Sequence, residues 1–320
     1  MKRVLVLGGS GFIGSSITQF FARDSKYQVT STYFSSEPPK ITQVAWIKIN
    51  LLDSVQTLNL FKKKFDVVIN SAAVTSGANI ISKNPEVHVL DNIRINSNII
   101  EGISKGSHPN LFIFLSCTVM YPSSQVGIKE SESIMIENIF PKYFASATTK
   151  MFVENLCRFY SSLTKTKFVI VRHTNIYGPG DKFNLEFGHV LSSLIIKMHN
   201  ASGKVKLWGD GTEKRDFLYI DDFLKFIKLL INYKKLSSYT VFNVGSGKSI
   251  PIRELAKQIR NLVNKKIAIG YSKDSRQLKV NICVNIKKVE KELGWKPSTN
   301  LADGLVHTYS WYKSNLVNHS

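Results

Sequence analysis

Short apolar segments alternate with segments of helical periodicity through the first half of the chain. Runs of mostly apolar residues predict strands at 3–7, 28–33, 44–49, 66–71, 111–116 and 167–172. Between them, apolar residues recur with a helical period and predict helices at 12–23, 54–64, 86–105 and 146–162. Strands and helices that alternate in this way are typical of an α/β fold, with a doubly wound parallel sheet covered by helices on both faces.

The second half of the chain is less regular. Its pattern predicts helices at 185–199, 221–232, 251–264, 286–293 and 300–314, and strands at 204–208 and 240–244. No internal repeat or low-complexity linker appears, so we expect a smaller second domain that packs tightly on the first. Ligands of such folds bind at the carboxyl ends of the parallel strands.

A glycine triplet follows the first predicted strand directly. Gly8 allows a tight turn off the strand, Gly11 lets the backbone approach a pyrophosphate, and Gly14 lets the next helix pack close to the sheet. The phosphates would then meet the free N–H groups at the start of that helix. A plain glycine-rich turn is the alternative, but strand, triplet and helix in this order favour a dinucleotide site. Its predicted contacts are Gly8, Ser10, Gly11, Phe12, Ile13 and Gly14.

Length and composition describe a globular protein with a full core, since the chain has 320 residues and 43% of them are hydrophobic. The first strand begins at once and no apolar run is long enough to cross a bilayer, so we expect neither a signal peptide nor a membrane partner. Cysteines 117, 157 and 283 have no paired spacing, which argues against a disulfide framework or a metal site. The cytoplasm is the expected location.

The formal net charge of +20 admits several partners. The 43 Lys and Arg residues are scattered, however, and the longest run is Lys62-Lys63-Lys64. The chain has no basic arm and no aromatic residues interleaved with basic ones. We therefore expect a lysine-rich solvated surface and no nucleic-acid partner, while a phosphate-rich substrate would also suit the charge.

Two segments bear on the choice of cofactor. The end of the second strand, Thr30 to Ser36, has neither the acid that binds an NAD ribose nor the arginine that binds an NADP phosphate. Its hydroxyl groups suit a ribose better than a phosphate, which favours NAD and does not exclude NADP. After the third strand, Asn50 and Leu51 are placed to line the adenine. A helix N-cap at Asp53 or Ser54 is the alternative interpretation, and the two are compatible.

Several motifs now suggest a family. They are Gly8-Gly9-Ser10-Gly11-Phe12-Ile13-Gly14, Asn70-Ser71-Ala72-Ala73, Asn92 to Glu101, Asn175-Ile176-Tyr177-Gly178-Pro179, Arg215 to Asp222, Phe242 to Gly247 and Leu293-Gly294-Trp295-Lys296-Pro297. In this order and spacing they resemble the extended short-chain dehydrogenase/reductase family, the nucleotide-sugar epimerases, dehydratases and reductases. The stretch from Thr174 to His189 looks most like the GDP-fucose synthases.

The resemblance implies a Rossmann domain formed by 1–172 and about 215–248, and a smaller α/β domain for the nucleotide sugar formed by 173–214 and 249–320. It implies hydride transfer between a nicotinamide and a sugar carbon, with Ala72 and Lys150 as further cofactor contacts. It also implies a homodimer that forms through the helices at 86–105 and 146–162.

The catalytic residues depart from the family pattern. The family's Tyr-x-x-x-Lys pair would end at Lys150, but Ser146 stands where the tyrosine belongs. Tyr143 is two helical turns from the lysine, about 10 Å along the axis, and would serve only if the helix starts irregularly. Cys117, followed by Thr118, occupies the family's Ser/Thr position. We hypothesise that Cys117, with Thr118 or Ser146 as hydrogen-bond partner, takes over part of the role of the tyrosine; a cysteine that only packs in the core is the alternative.

Substrate contacts are expected in the second half. A histidine that matches His189 acts as an acid in GDP-fucose synthases, but Val119 stands where their cysteine base belongs, which makes a double epimerisation doubtful. A guanidinium group binds a diphosphate through two hydrogen bonds. The candidate substrate contacts are Asn175, His189, Trp208, Arg215 and Arg276. Arg215 has an alternative role as an ion-pair partner of the neighbouring aspartates.

The motifs and the resemblance together predict an NAD(P)-dependent oxidoreductase or epimerase. We expect it to act at a sugar carbon, most simply C4, of a nucleotide-diphosphate hexose or heptose. Cys117, Thr118, Ser146, Lys150 and His189 are its candidate catalytic residues. The alternative is a catalytically silent family member that binds the cofactor or a nucleotide sugar, and the missing tyrosine supports it.

Overall fold

The computed structural model describes residues 1–75, 84–263, 266–272 and 280–317. Within them the strands are β1 (Lys2–Leu7), β2 (Tyr27–Tyr33), β3 (Val44–Lys48), β4 (Val67–Asn70), β5 (Leu111–Cys117), β6 (Lys167–His173), β7 (Asn175–Tyr177), β8 (Lys204–Trp208), β9 (Lys214–Tyr219), β10 (Tyr239–Val244), β11 (Ser249–Pro251) and β12 (Ala268–Ser272).

The helices in the same residues are α1 (Phe12–Ala22), α2 (Ser54–Phe61), α3 (Leu90–Lys105), α4 (Phe144–Leu163), α5 (Val190–Asn200), α6 (Ile220–Asn232), α7 (Ile252–Val263), α8 (Lys287–Leu293) and α9 (Leu301–Tyr312). Short 3₁₀ turns at Pro85–His88 and Pro141–Tyr143 precede α3 and α4. A π-helical turn at Lys313–Val317 extends α9.

Seven strands form the central sheet in the order β10-β6-β5-β4-β1-β2-β3, and every neighbouring pair is parallel. The chain starts in the middle of this sheet, adds β2 and β3 on one side and returns to add β4, β5 and β6 on the other. This confirms the predicted doubly wound sheet. The order reverses between β1 and β4, and ligands of doubly wound sheets bind at that reversal, outside the carboxyl ends of the strands.

Both faces of the central sheet are buried. Val4 and Val6 point into one core and Leu5 and Leu7 into the other, and all four are fully buried. The alternation arises because successive side chains of a strand point to opposite faces. Each such side chain contributes about 1.5–3 kcal/mol by leaving water. The sheet is therefore a rigid platform for the loops at its carboxyl edge.

The pattern of the chain predicted the strands of the central sheet to within a residue or two. It missed β7 and β11, because three residues are too few to show a period, and β9, because Arg215 and Asp216 interrupt its apolar run. It also missed β12. The predicted helix at 185–199 begins only at Val190, so His189 precedes the helix as its N-cap residue.

The smaller sheets arise from the second half of the chain. β9 lies between β7 and β11 in a three-stranded sheet, and β8 pairs with β12. β9 thus lies outside the central sheet, although its residues were predicted to belong with the first domain, whereas β10 joins the central sheet. The division into two domains itself stays a prediction. Across the described parts of the chain, we find no helix long and apolar enough to cross a bilayer.

Candidate active site

The turn from β1 into α1 is built around its glycines. Gly8 has a φ of +78°, and a Cβ there would lie 2.7 Å from the Cα of Ala72. A Cβ on Gly14 would collide with the carbonyl oxygen of Gly8. At Gly11 a Cβ would meet only that same oxygen, at 3.5 Å, which leaves the outer side of the turn open. The structure thus requires glycine at positions 8 and 14, in agreement with the predicted tight turn and close helix packing, whereas the approach of a pyrophosphate at Gly11 stays a prediction.

Hydrogen bonds from β2 hold this turn. The N–H of Gly8 donates to Oγ1 of Thr32 over 3.1 Å, and the N–H of Gly9 donates to the carbonyl oxygen of Thr32 over 2.7 Å. Ser31 is also internal, with its hydroxyl 2.9 Å from that of Thr18. The expectation that the hydroxyls of this segment meet the ribose is therefore wrong for Ser31 and Thr32, because both are already bonded inside the fold.

The start of α1 leaves donors for an anion. Gly11 is its N-cap residue, and in the described structure no side chain caps the helix there. The first N–H groups of a helix have no partner within it, and they carry its positive dipole end. This is the geometry that binds a phosphate, although the individual contacts of Ser10, Phe12 and Ile13 remain predictions.

The loop after β3 is ordered by its own side chains. Asp53 caps α2 by accepting from the N–H of Gln56 over 3.0 Å, which confirms the N-cap interpretation. Oδ1 of Asn50 accepts from the N–H of Leu52 over 3.0 Å, and Nδ2 of Asn98 donates to the carbonyl oxygen of Leu51 over 2.9 Å. Contact of Asn50 and Leu51 with an adenine stays a prediction.

The end of β4 is fixed against the glycine turn. Oδ1 of Asn70 accepts from the N–H of Ala72 over 3.1 Å, and Nδ2 of Asn70 donates to Asn96 on α3 over 2.8 Å. The hydroxyl of Ser71 donates to the carbonyl oxygen of Leu7 over 2.6 Å. Ala72 therefore lies directly beside Gly8, at the edge where its cofactor contact was predicted.

Lys150 reaches the end of β5 from α4. Its Nζ donates to the carbonyl oxygen of Leu115 over 2.9 Å and lies 4.6 Å from the centre of the Phe114 ring. Burial lowers the pKa of Lys150, and the neighbouring Cys117 and Glu154 oppose that shift. An ammonium group has three donors, so this contact leaves two for a ligand.

The position of the missing tyrosine is now visible. Ser146 lies in the first turn of α4, one turn before Lys150. Tyr143 belongs to the preceding 3₁₀ turn, a common start of an α-helix, and its ring packs near Phe140 with 6.1 Å between centroids.

The two candidate residues after Ser116 differ in burial. Thr118 is only 5% exposed, whereas Cys117 at the end of β5 is partly exposed. Burial raises the pKa of the Cys117 thiol, and the charge of Lys150 opposes this rise. Of the two, Cys117 is the side chain that a ligand at this edge can reach.

Sequence reasoning missed His173. This residue ends β6 and is the direct register partner of Cys117 on β5. Its Nδ1 is 2.8 Å from the carbonyl oxygen of Thr174, and burial lowers its pKa to about 4. The signal that could have found it is a histidine directly after a buried apolar strand, because the ends of neighbouring parallel strands meet at one edge.

A buried network anchors α4 to the sheet, and it too was missed. Arg172 on β6 forms an ion pair with Glu154, with Nη2 and Oε2 2.6 Å apart. Its Nη1 donates to the hydroxyl of Tyr121 over 2.9 Å, and Ser116 donates to Oε1 of Glu154 over 2.6 Å. Glu154 follows Lys150 by about one helical turn, so the network positions the lysine.

Arg215 lies in the smaller sheet and is only 8% exposed. Its Nη1 donates to the carbonyl oxygens of Lys214 and Val280. The carboxylate of Asp216 instead accepts from Ser246 and Gly247, so the described structure contains no Arg215–Asp216 ion pair.

The remaining substrate candidates lie around the same half of the molecule. Asn175 donates from Nδ2 to the carbonyl oxygen of Asp216 over 2.9 Å. Trp208 ends β8 with the ammonium group of Lys197 5.2 Å from its ring centre. His189 is exposed and lies near the buried Asp181, whose pKa burial raises while the charge of His189 opposes the rise. Arg276 lies outside the described residues.

Comparison with known proteins agrees with this architecture. A GDP-L-fucose synthase of Sinorhizobium fredii is 29% identical, over 99% of this chain and 97% of that protein. A dTDP-4-dehydro-6-deoxyglucose reductase of Escherichia coli is 26% identical, over 94% of this chain and 95% of the relative.

Among solved structures, the UDP-glucose 4-epimerase of Thermotoga maritima with UDP-glucose has a TM-score of 0.86 at 22% identity, covering 98% of this chain and 99% of that one. The UDP-glucuronic acid 4-epimerase of Bacillus cereus, in complex with UDP-glucuronic acid and NAD, has a TM-score of 0.84 at 23% identity and the same coverage. The family model for the NAD-dependent epimerase/dehydratase family matches residues 4–245. Since this match spans most of the chain, the protein belongs to the NAD-dependent epimerase/dehydratase family.

Proposed function

We propose that this protein uses NAD to oxidise, reduce or epimerise a sugar carbon, C4, of a nucleotide-diphosphate hexose or heptose. The observation that carries the proposal is that a candidate cofactor site and a cluster of candidate catalytic side chains lie at the same edge of the central sheet. The glycine turn at Gly8–Gly14 has the steric form of a dinucleotide site. Cys117 ends β5 at the same edge of the sheet, and Lys150 reaches the end of β5 from α4. The relatives named above, which act on nucleotide sugars according to their names, support the substrate class.

The residues present fit a nicotinamide dinucleotide. The open side of Gly11 and the uncapped start of α1 accommodate the pyrophosphate, since a Cβ at Gly11 would take up that space. When bound, the cofactor supplies a carbon that takes or gives a hydride. Lys150 would bind the nicotinamide ribose with the two donors that Leu115 leaves free. The end of β2 carries no arginine for a 2′-phosphate, which favours NAD over NADP.

The groups around the reacting carbon are Cys117, Ser146 and Lys150, with the more buried Thr118 behind them. At neutral pH the thiol of Cys117 is protonated, because burial raises its pKa, and it can donate a hydrogen bond to the sugar oxygen. The positive charge of Lys150 stabilises negative charge that develops on that oxygen during hydride transfer.

Residues from the second half of the chain would bind the nucleotide and the sugar. The guanidinium of Arg215 has donors beyond Nη1, which is bonded to backbone carbonyls, and these suit a diphosphate. Asn175, His189, Trp208 and Arg276 are the other proposed contacts.

We further propose a homodimer in the cytoplasm. Phe152, Phe159 and Leu163 on α4 are 43%, 59% and 62% exposed, and they share one side of the helix by their spacing. Exposed apolar groups of this kind mark interaction surfaces. The three cysteines are free thiols, which suits a reducing compartment.

A panel assay tests the function. Purified protein would be mixed with NAD or NADH and with GDP-, UDP- and dTDP-sugars. The absorbance of the reduced nicotinamide would report net oxidation or reduction, and NMR spectra of the sugar would report a change of configuration, which leaves the mass unchanged. Turnover with at least one nucleotide sugar is the expected result. Tight cofactor binding with no change in any sugar would instead support a silent binding protein, for which Ser146 in place of tyrosine is the specific argument.

A further inference from the structure

The carboxyl ends of β5 and β6 place a thiol and an imidazole beside each other. Cys117 and His173 are register partners in this parallel pair. Neighbouring strands lie about 5 Å apart, and register partners present their side chains on the same face. Both residues are partly buried, and the charge of Lys150 acts on both. Cys117, His173 and Lys150 therefore form one cluster at the carboxyl ends of β5 and β6, next to the proposed reacting carbon.

The backbone fixes the tautomer of His173. A carbonyl oxygen only accepts hydrogen bonds, so the 2.8 Å contact between Nδ1 and the carbonyl oxygen of Thr174 places the hydrogen on Nδ1. Nε2 then has a lone pair, and none of the hydrogen bonds found across the described residues involves it. The ring of Phe223 packs edge-to-face on the imidazole with 6.0 Å between centroids. The imidazole is thus oriented and keeps one acceptor nitrogen.

The surroundings keep this imidazole uncharged. Lys150 faces it from α4, His189 from the loop before α5 and Cys117 from β5, and α6 contributes the apolar ring of Phe223. Burial, together with the charges of Lys150 and His189, lowers the pKa of His173 to about 4. Burial moves the pKa of Cys117 in the opposite direction. Neighbouring groups whose pKa values move apart in this way divide into a proton acceptor and a proton donor.

We infer that His173 accepts the proton of the reacting sugar hydroxyl at Nε2, in the role that tyrosine has in the Tyr-x-x-x-Lys pair. In the oxidative direction the O–H bond breaks and its proton bonds to Nε2. The C–H bond breaks as well, and its hydrogen would leave with both bonding electrons as a hydride to the nicotinamide. The electron pair of the O–H bond forms the new C=O bond. The reverse steps serve reduction, and Cys117 donates a hydrogen bond to the same oxygen. This inference rests on the proposed function.

A weakly basic imidazole suffices for this step. Carboxylate bases with a pKa of about 4.6 abstract protons efficiently in other enzymes because their basic form is fully populated at neutral pH. The Cys117 thiol is the competing candidate for the base, and it would act only as thiolate, which becomes populated at alkaline pH. The two candidates therefore predict different pH profiles.

Three variants and a pH profile test the inference. His173→Asn removes the base, and His173→Gln restores an acceptor oxygen that cannot take a proton. His108→Asn is the matched control, because His108 is exposed, lies just before the amino end of β5 and has a φ of 44° that asparagine tolerates. Calorimetry with NAD and the nucleotide sugar shows whether each variant is folded and binds.

We expect both His173 variants to bind normally and to lose hydride transfer by about 10²–10⁴-fold, and His108→Asn to match the wild type. The oxidative kcat/KM of the wild type should be flat between about pH 6 and pH 9, since His173 is deprotonated throughout. A rate that rises steadily to alkaline pH would assign the base to Cys117 and overturn the inference. Full activity in His173→Gln would overturn it too, because hydrogen bonding alone would then suffice.

A readout without substrate separates this inference from the proposed function. In ¹⁵N NMR spectra, His173 should show the Nδ1–H tautomer at neutral pH and titrate near pH 4, as its lowered pKa requires. The other tautomer, with the hydrogen on Nε2, would leave no acceptor nitrogen for the proton and would overturn the inference even if the enzyme is active. A wild type that transfers hydride while His173→Asn does so equally well overturns this inference alone. A wild type inert with every nucleotide sugar overturns the proposed function and this inference with it.

Discussion

Two regions of the same sheet edge are built on different principles. The glycine turn between β1 and α1 is fixed by backbone sterics, since a Cβ on Gly14 would collide with Gly8. The ends of β5 and β6 are fixed by side chains, through the ion pair of Arg172 with Glu154 and the contact of Lys150 with Leu115. A backbone-built site tolerates almost no exchange of its key residues. A site built by side chains can keep its scaffold and change the group that carries the chemistry, which is what we propose for Ser146 at the position of the family tyrosine.

The largest effect is expected from breaking the network under the second region. Arg172→Met would leave the carboxylate of Glu154 buried without its partner, which typically costs about 3–5 kcal/mol. Urea unfolding would measure the loss. Arg158→Met is the matched control, because Arg158 lies on the exposed side of α4 and should change stability by less than about 0.5 kcal/mol. Equal stability of the two variants would show that the network does not hold this region.

A pair of glycine variants tests the first region. Gly14→Ala should lower both thermal stability and NAD affinity, because its Cβ meets the Gly8 carbonyl and lies 2.7 Å from Oγ of Ser71. Gly11→Ala should change the stability of the free protein little, because its Cβ meets only ordinary contact at 3.5 Å. It should weaken NAD binding by about tenfold or more, since crowding the pyrophosphate costs about 1–3 kcal/mol. Scanning calorimetry and NAD titration measure the two effects. Normal NAD affinity in Gly11→Ala would contradict the proposed position of the pyrophosphate.

A smaller effect on catalysis is expected at the thiol. Cys117→Ala should lower hydride transfer by about tenfold, the value of one lost hydrogen bond of about 1.4 kcal/mol to the sugar oxygen, and leave NAD affinity unchanged. Cys157→Ala is a control for the loss of a thiol elsewhere, because Cys157 lies on the buried side of α4. Unchanged turnover in Cys117→Ala would contradict a catalytic contribution of Cys117 and would show that it only packs in the core.

The smallest effect concerns the reactivity of that thiol. The ammonium group of Lys150 opposes the rise in the pKa of Cys117, so removing it in Lys150→Met should raise this pKa further. Alkylation of Cys117 by iodoacetamide at pH about 8.5, followed by peptide mass spectrometry, should therefore be slower in the variant because less thiolate forms. Cys157 is fully buried, so it should stay unmodified and thereby report that the variant stays folded. Faster alkylation of Cys117 would show that opening the structure outweighs the charge.

The sequence predicted the first region far better than the second. The steric requirements at Gly8 and Gly14 could be predicted from local spacing, since each involves the turn and the elements next to it. His173 could not be found this way, because its partner Cys117 is far away in sequence and only the strand register brings them together.

The hydroxyl groups of β2 are a second case in which the sequence did not predict the contacts. Ser31 and Thr32 were expected at the ribose because they end the second strand. The structure shows them bonded to Thr18 and to the glycine turn instead. A strand pattern predicts which residues are buried, but the partner of a buried hydroxyl depends on the helix and the turn that pack against the strand.

The most direct test of the account is transfer of deuterium between nicotinamide and sugar. The protein would be mixed with NAD and C4-deuterated nucleotide sugars, and with deuterated NADH and the corresponding 4-keto sugars, and mass spectrometry would locate the label. We expect label on the partner molecule, or inversion at C4 with the label retained, for at least one nucleotide sugar, and we expect either change to be greatly slowed in His173→Asn. Retention of all label with an unchanged configuration at C4, despite measured binding of both ligands, would contradict hydride transfer.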